Sequence, residues 1–343
     1  MRKEFQLGSR REFLADGIRS AALVTALASA SGQTAKKAST PNPFAYDVSR
    51  FSQTDPKLIT YEEAARWKCP HKEPRRIAAG PDDQLYVCAG NCIAVMTGDG
   101  RRGLEIALSD GARCVAAAND GTLFAGLSDH IEVFDAKGQR KATWDSPGRK
   151  SWLTGLAVGE QDVFAADSGG RVVLRYDRSG KLLGRIGEKN KERDIPGFVV
   201  PSPYLDVEIA RDGVLRVNNP GRHRVEAYTF DGDLEQFWGK PSAAIDGFCG
   251  CCNPIGLALL PDGRFITCEK GLPRVKVYSA AGEFESVVAG VESFPENAKV
   301  CSDLNDCTRG GMDAAVDSTG RIYILDFAAG DVRVMKRRAQ GHG

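Results

Sequence analysis

A unit recurs through the chain from about residue 74 to its end, and this repetition limits the possible folds more than any other feature. The clearest pair runs Asp212 to Tyr228 and Asp262 to Tyr278, and the two align without a gap. Each opens on Asp-Gly, continues as an apolar strand, crosses a polar loop and resumes in a second strand. Arg224-Val225-Glu226-Ala227-Tyr228 thus stands against Arg274-Val275-Lys276-Val277-Tyr278. The column through Cys268 reads Cys88, Gly126, Ala166, Asn218, Cys268 and Leu325, at spacings of 38, 40, 52, 50 and 57 residues. Short strands at such spacing, with Gly turns and no helical period, predict an all-β array of four-stranded blades. Six units predict a six-bladed β-propeller over residues 56–338, with the longer insertions between blades. The sixth unit stops after its third strand, near Met335. The segment 57–61, just before the first unit, is expected to supply the missing outer strand and close the ring. Closure removes exposed sheet edges that would invite aggregation.

The phrases Ala165-Ala166-Asp167-Ser168-Gly169-Gly170-Arg171-Val172 and Gly320-Arg321-Ile322-Tyr323-Ile324-Leu325-Asp326 resemble the NHL repeat family. The resemblance implies a six-bladed propeller of that type. It leaves chemistry open, because the fold carries lyases, lactonases and binding modules alike. The metal-binding histidines of the amidating lyases have no counterparts among His71, His130, His223 and His342. The Pro74-Arg75-Arg76 stretch stands where the lactonases carry a Glu at the start of the first inner strand.

The first residues read as an address. Ser9-Arg10-Arg11 followed by Phe13-Leu14 resembles the twin-arginine export signal. A mildly apolar run from Ala21 to Ala30 comes next and ends on Ala28-Ser29-Ala30, a small-x-small cleavage site. Residues 1–30 are therefore expected to be a signal peptide, 31–55 a polar linker and 339–343 a tail. The expected location is periplasmic or extracellular. The apolar run is too short and too rich in Ala and Ser to make a stable membrane anchor. Lys plus Arg total 46 against 45 Asp plus Glu, so there is no basic excess for a nucleic-acid partner.

Ten cysteines are many for this length. Alternating strand directions in a blade put the loop between the second and third strands on the same face as the connection to the next blade. We refer to this as the top face. All ten cysteines map to it, in two groups: Cys69, Cys88, Cys92 and Cys114 on blades one and two, and Cys249, Cys251, Cys252, Cys268, Cys301 and Cys307 on blades five and six. Three readings stand open for the second group. Disulfides would staple long loops after export. A thiolate-bound metal or iron–sulfur centre would use the same sulfurs, although Cys249-Gly250-Cys251-Cys252 lacks the usual C-x₂-C spacing. Small thiols also pack as apolar groups. A disulfide between the 249–252 segment and the 301–307 loop is the favoured pairing, and a vicinal Cys251–Cys252 bond the disfavoured one.

Two further columns concern the channel. Each first strand opens with Arg76, Cys114, Thr154, Asp206, Gly256 or Asp313. Each second strand is followed by Ala89, Leu127, Asp167, Asn219, Glu269 or Asp326. Asp167, Asp206, Asn219, Glu269, Asp313 and Asp326 together suggest a half-ring at the channel mouth. Such oxygens suit Ca²⁺ or a general base, and equally suit capping of loops and strands. The reading is an exported binding module that presents a cysteine-rich top face to a protein partner, a small molecule or a redox or metal partner. A cation-dependent hydrolase or lyase at the channel mouth, and a thiolate-metal electron-transfer protein, are the alternatives. If the address is correct, changing both Arg10 and Arg11 to Lys will leave uncleaved precursor in the cytoplasm on a fractionation blot. Normal export of that variant would contradict it.

Overall fold

The second strand of each repeat is buried along its whole length, as in Leu85–Ala89, Leu123–Gly126, Asp162–Asp167, Leu215–Asn219, Phe265–Glu269 and Ile322–Asp326. A strand covered on both faces reads as a near-continuous apolar run rather than an alternating one. The outermost strands behave differently: Arg102–Ala107 and Arg140–Trp144 are exposed at all but one position. Burial thus falls off outward along each sheet, as expected for sheets stacked face to face around an axis. The computed structural model of the chain describes residues 49–295 and 310–339. The expected signal peptide, most of the expected linker, Cys301, Cys307 and residues 340–343 lie outside the described residues.

Six four-stranded antiparallel sheets make up the propeller. Blade one consists of strand a (Pro74–Ala79), b (Leu85–Ala89), c (Cys92–Met96) and d (Arg102–Ala107), hydrogen-bonded in that order. The other inner strands are Cys114–Ala117, Leu153–Val158, Val207–Ile209, Gly256–Leu259 and Met312–Val316. The pairings Arg76↔Cys88, Cys114↔Gly126, Gly256↔Cys268 and Asp313↔Leu325 bear out the column alignment read from the repeats. Apolar clusters lie between neighbouring blades. One joins Ile77, Val87 and Met96 of blade one to Tyr323, Leu325 and Val334 of blade six.

Closure of the ring differs from expectation in one respect. The outer strand of blade six is Tyr61–Lys68, not 57–61. It pairs antiparallel with Asp331–Arg337, from Tyr61↔Arg337 to Lys68↔Asp331. The preceding segment is bonded to blade five instead: Ile59 makes a parallel bridge to Val287, and Thr60 N–H donates to Val287 O. The physical reason lies in Trp67. Outer strands of blades two and four carry Trp144 and Trp238, paired with Ile131 and Val225; Trp67 pairs with Val332, the equivalent position. Each indole packs on the Gly of the next blade's c–d turn, Trp67 on Gly100, Trp144 on Gly180 and Trp238 on Gly282. These glycines have positive φ, and a Cβ on any of them would overlap the ring. A form beginning at residue 69 therefore exposes the Asp331–Arg337 edge and empties the Trp67 contact. It should aggregate, or melt well below a form beginning at residue 49. Equal melting temperatures for two monodisperse samples would contradict this closure.

Candidate functional site

The inner column converges on the channel axis. Arg76, only 8% exposed, reaches across the channel from blade one. Its Nη2 lies 2.9 Å from Asp206 Oδ1 of blade four, and its Nη1 lies 2.7 Å from Asp313 Oδ1 of blade six. Its Nε and Nη2 also donate to the Thr154 carbonyl of blade three. The carboxylates use their second oxygens on backbone: Asp313 Oδ2 accepts from Ile77 N–H and Asp206 Oδ2 from Leu257 N–H, each at 3.0 Å. This one cluster therefore links blades one, three, four, five and six. Burial works against the Arg76 charge, but Asp206 and Asp313 offset it and raise its pKa above the usual value. Burial pushes the Asp206 carboxyl up to about 6 against the pull of Arg76.

The cluster divides the channel into two spaces. Below it lies a cavity of about 510 Å³ lined by small inner-strand residues together with Arg211 and Asp317, with Glu208 one pleat beneath Asp206. Above it, at the top face, is a vestibule of about 300 Å³. Arg76 forms its floor, and Arg75, Arg113, Trp152, Tyr204 and Phe327 line its walls. The Arg113 guanidinium lies 3.5 Å from the Trp152 ring centroid. Burial and the nearby Arg75 lower the Arg113 pKa to about 10. Among the described residues no carboxylate lies within ion-pair distance of Arg113; its Nε donates to Ser128 Oγ. Lys270, its ammonium 4.4 Å from the Tyr204 ring centroid, adds a fourth cation nearby.

The second column lies farther from the axis and holds loops. Asp167 Oδ1 accepts from Trp152 N–H at 2.8 Å and Gly170 N–H at 2.9 Å, so it fixes the backbone beneath the vestibule's indole. Asn219 Oδ1 accepts from Val199 N–H. Glu269 Oε2 accepts from Cys249 N–H, and the same carboxylate pairs with Arg274 and Lys276 at 2.8 and 2.9 Å. Those two cations in turn donate to the carbonyls of Ala243, Ile245 and Gly247. Asp326 accepts from the amides of Ala328 and Ala329. Asp206 and Asp313 thus meet at Arg76, whereas Asp167, Asn219, Glu269 and Asp326 each serve their own blade.

All eight described cysteines lie at the top ends of strands or in top-face loops, and no two of them are disulfide-bonded. Cys88, Cys114 and Cys268 are buried, and burial drives their thiols above the ordinary range, Cys114 to about 12. Such thiols pack as apolar groups and are poor nucleophiles. Cys251 and Cys252 turn toward each other, with sulfurs 3.3 Å apart. Among the described residues, Cys249, Cys251, Cys252 and Cys268 do not bring three ligand atoms together.

Residue types alone left the vestibule unread. Arg76 stood in a column with two aspartates, and a single cation between them was the available signal. Arg113 and Trp152 precede their strands in different blades, and no sequence spacing pairs them.

No family model and no curated protein matches the sequence. Solved structures do. Virginiamycin B lyase from Staphylococcus aureus is 14% identical, with a TM-score of 0.55, over 81% of this chain and 100% of that one. Its catalytically inactive histidine-to-alanine variant with quinupristin is 15% identical at 0.55, over 82% and 89%. A protein of unknown function from Bacteroides thetaiotaomicron is 14% identical at 0.58, over 80% and 72%. At such identities the likeness is one of fold, and the fold is a six-bladed β-propeller.

Proposed function

We propose that the chain is an exported binding propeller of NHL type whose top-face vestibule takes a small organic anion with a planar body. The observation that carries this reading is the pair Arg75 and Arg113 beside Trp152, above a floor closed by Arg76. Two guanidiniums crowd one mouth, and among the described residues no carboxylate forms an ion pair with Arg113. A carboxylate, sulfonate or phosphate would relieve that crowding through charge-assisted hydrogen bonds. A flat ring would stack on Trp152 or Tyr204. The long top-face connections around the mouth suit contact with a protein partner, and a disulfide from the 249–252 segment to the 301–307 loop would stiffen them. Periplasmic or extracellular placement by the twin-arginine route agrees with the N-terminal motif. Among the described residues no helix is long and apolar enough to cross a membrane.

The hydrolase or lyase reading has less support. The inactive lyase variant named above is a histidine substitution, and here none of the described histidines lines the central channel. The carboxylates nearest the axis, Asp206 and Asp313, are already matched to Arg76, which leaves them poor ligands for a cation.

Naphthalene sulfonate serves as the probe, followed by quenching of Trp152 fluorescence. Arg113→Ala should weaken binding at least about tenfold, the loss expected for a hydrogen bond to a charged group. Added salt should weaken binding to the native protein. Unchanged affinity in Arg113→Ala and in Arg75→Ala would overturn the proposal.

A further inference from the structure

Away from the channel, the closing strand meets blade one in a cluster of unlike ligand types. Strand 61–68 ends at Lys68, and five residues, 69–73, lead into the first inner strand. His71 lies in this link, Cys92 begins strand c of blade one, and Glu105 lies on its strand d. The His71 nitrogen, the Cys92 sulfur and a Glu105 oxygen all fall within 4.8 Å of one another. Cys92 and Glu105 come together because Cys92 pairs with Ala107 and Ala94 with Glu105, which sets the two side chains diagonally on one sheet face. That face is turned toward blade six, where Cys69 packs in the same cluster as Met96 and Val332.

His71 Nε2 is buried and makes no hydrogen bond; Glu105 Oε2 lies 3.1 Å away but is not aligned to accept one. A buried imidazole nitrogen facing a thiol and a carboxylate, with no hydrogen bond of its own, is poorly satisfied as it stands. The link is held in place independently of any ligand. Cys69 N–H donates to Gly330 O of blade six, and Lys68 Nζ donates to Ala329 O. Cys69 also accepts the His71 amide at its sulfur, so a second thiol stands two residues from the imidazole.

We propose that His71, Cys92 and Glu105, with a water as the fourth donor, form a site for a zinc-class divalent ion that pins the ring-closing link to blade one. The donor set decides the class of metal. A sulfur with an imidazole and a carboxylate matches zinc, whereas calcium and magnesium take oxygen donors. On binding, the Cys92 thiol releases its proton to solvent, so the site would hold a thiolate and a neutral imidazole. The ion would tie His71 of the N-terminal link to Cys92 and Glu105 of blade one, at the seam where the ring is joined. This role is separate from the vestibule and does not depend on what binds there.

The test uses full-length exported protein, stripped with chelator and desalted, then given Zn²⁺ alone. Metal retained after gel filtration and the melting temperature are both read. The native protein should keep one equivalent that Cys251→Ser and Cys252→Ser do not remove, and zinc should raise its melting temperature. His71→Asn and Glu105→Gln should weaken retention at least about tenfold and abolish the zinc-dependent rise. Glu105 is 60% exposed at its side chain, so its substitution should leave the fold intact even if the buried Cys92→Ser does not. Equal retention in native, His71→Asn and Glu105→Gln proteins would overturn the proposal. So would a Cys69–Cys92 disulfide in the exported protein, or failure of the native protein to bind zinc.

Discussion

One guanidinium joins much of this ring. Arg76 leaves blade one and meets carboxylates of blades four and six and a carbonyl of blade three. A β-propeller has few covalent reasons to stay closed, because each blade touches mainly its neighbours. An ionic tie across the axis adds contacts that neighbour stacking cannot. Burying such charges is expensive, and the cost is offset only where every lone pair is used. Here the spare oxygens of Asp206 and Asp313 accept backbone amides of blades five and one. The cluster is therefore satisfied, and it is also a wall. It separates a lower cavity that holds Glu208, Arg211 and Asp317 from a cationic upper vestibule.

The top face of blades three to five is organised by the last residue of each second strand. Asp167 fixes the backbone of Trp152, Asn219 that of Val199 and Glu269 that of Cys249. These bonds give long connections fixed starting points on a rigid scaffold, the arrangement in which loops commonly carry function. Lys276, fully buried, goes further: burial lowers its pKa to about 8, Glu269 holds it, and it donates to two loop carbonyls. Rigidity of this kind suits a site that must be preformed.

The repeat made the architecture legible, since column alignment in sequence becomes strand register in space. Cys268 opposes Gly256 and Leu325 opposes Asp313, as the columns require. The acidic columns were legible as positions but not as partners. Two columns read as one half-ring lie at different distances from the axis, because one sits at the inner strands and the other at the ends of second strands. The closing strand was placed too early by an apolar stretch, Leu58-Ile59, that instead reaches blade five. Its true signal was Trp67, in the position held by Trp144 and Trp238. The cluster of His71, Cys92 and Glu105 was not legible, because it is formed where the two ends of the ring meet.

The central claim is that Arg76, Asp206 and Asp313 act as one unit across the axis. A double-mutant cycle between Arg76→Met and Asp313→Asn, read by urea denaturation at pH 7, tests it most directly. Arg76→Met should cost about 3–5 kcal/mol, because it leaves buried carboxylates without their cation. Adding Asp313→Asn should recover part of that loss, so the pair is strongly non-additive. Asp206 has a raised pKa in the folded state, and losing Arg76 raises it further. The folded variant then binds a proton that the unfolded chain does not, so its stability should rise as the pH falls from 7 to 5. Additive losses with no such recovery at pH 5 would show that the three residues do not hold the ring together.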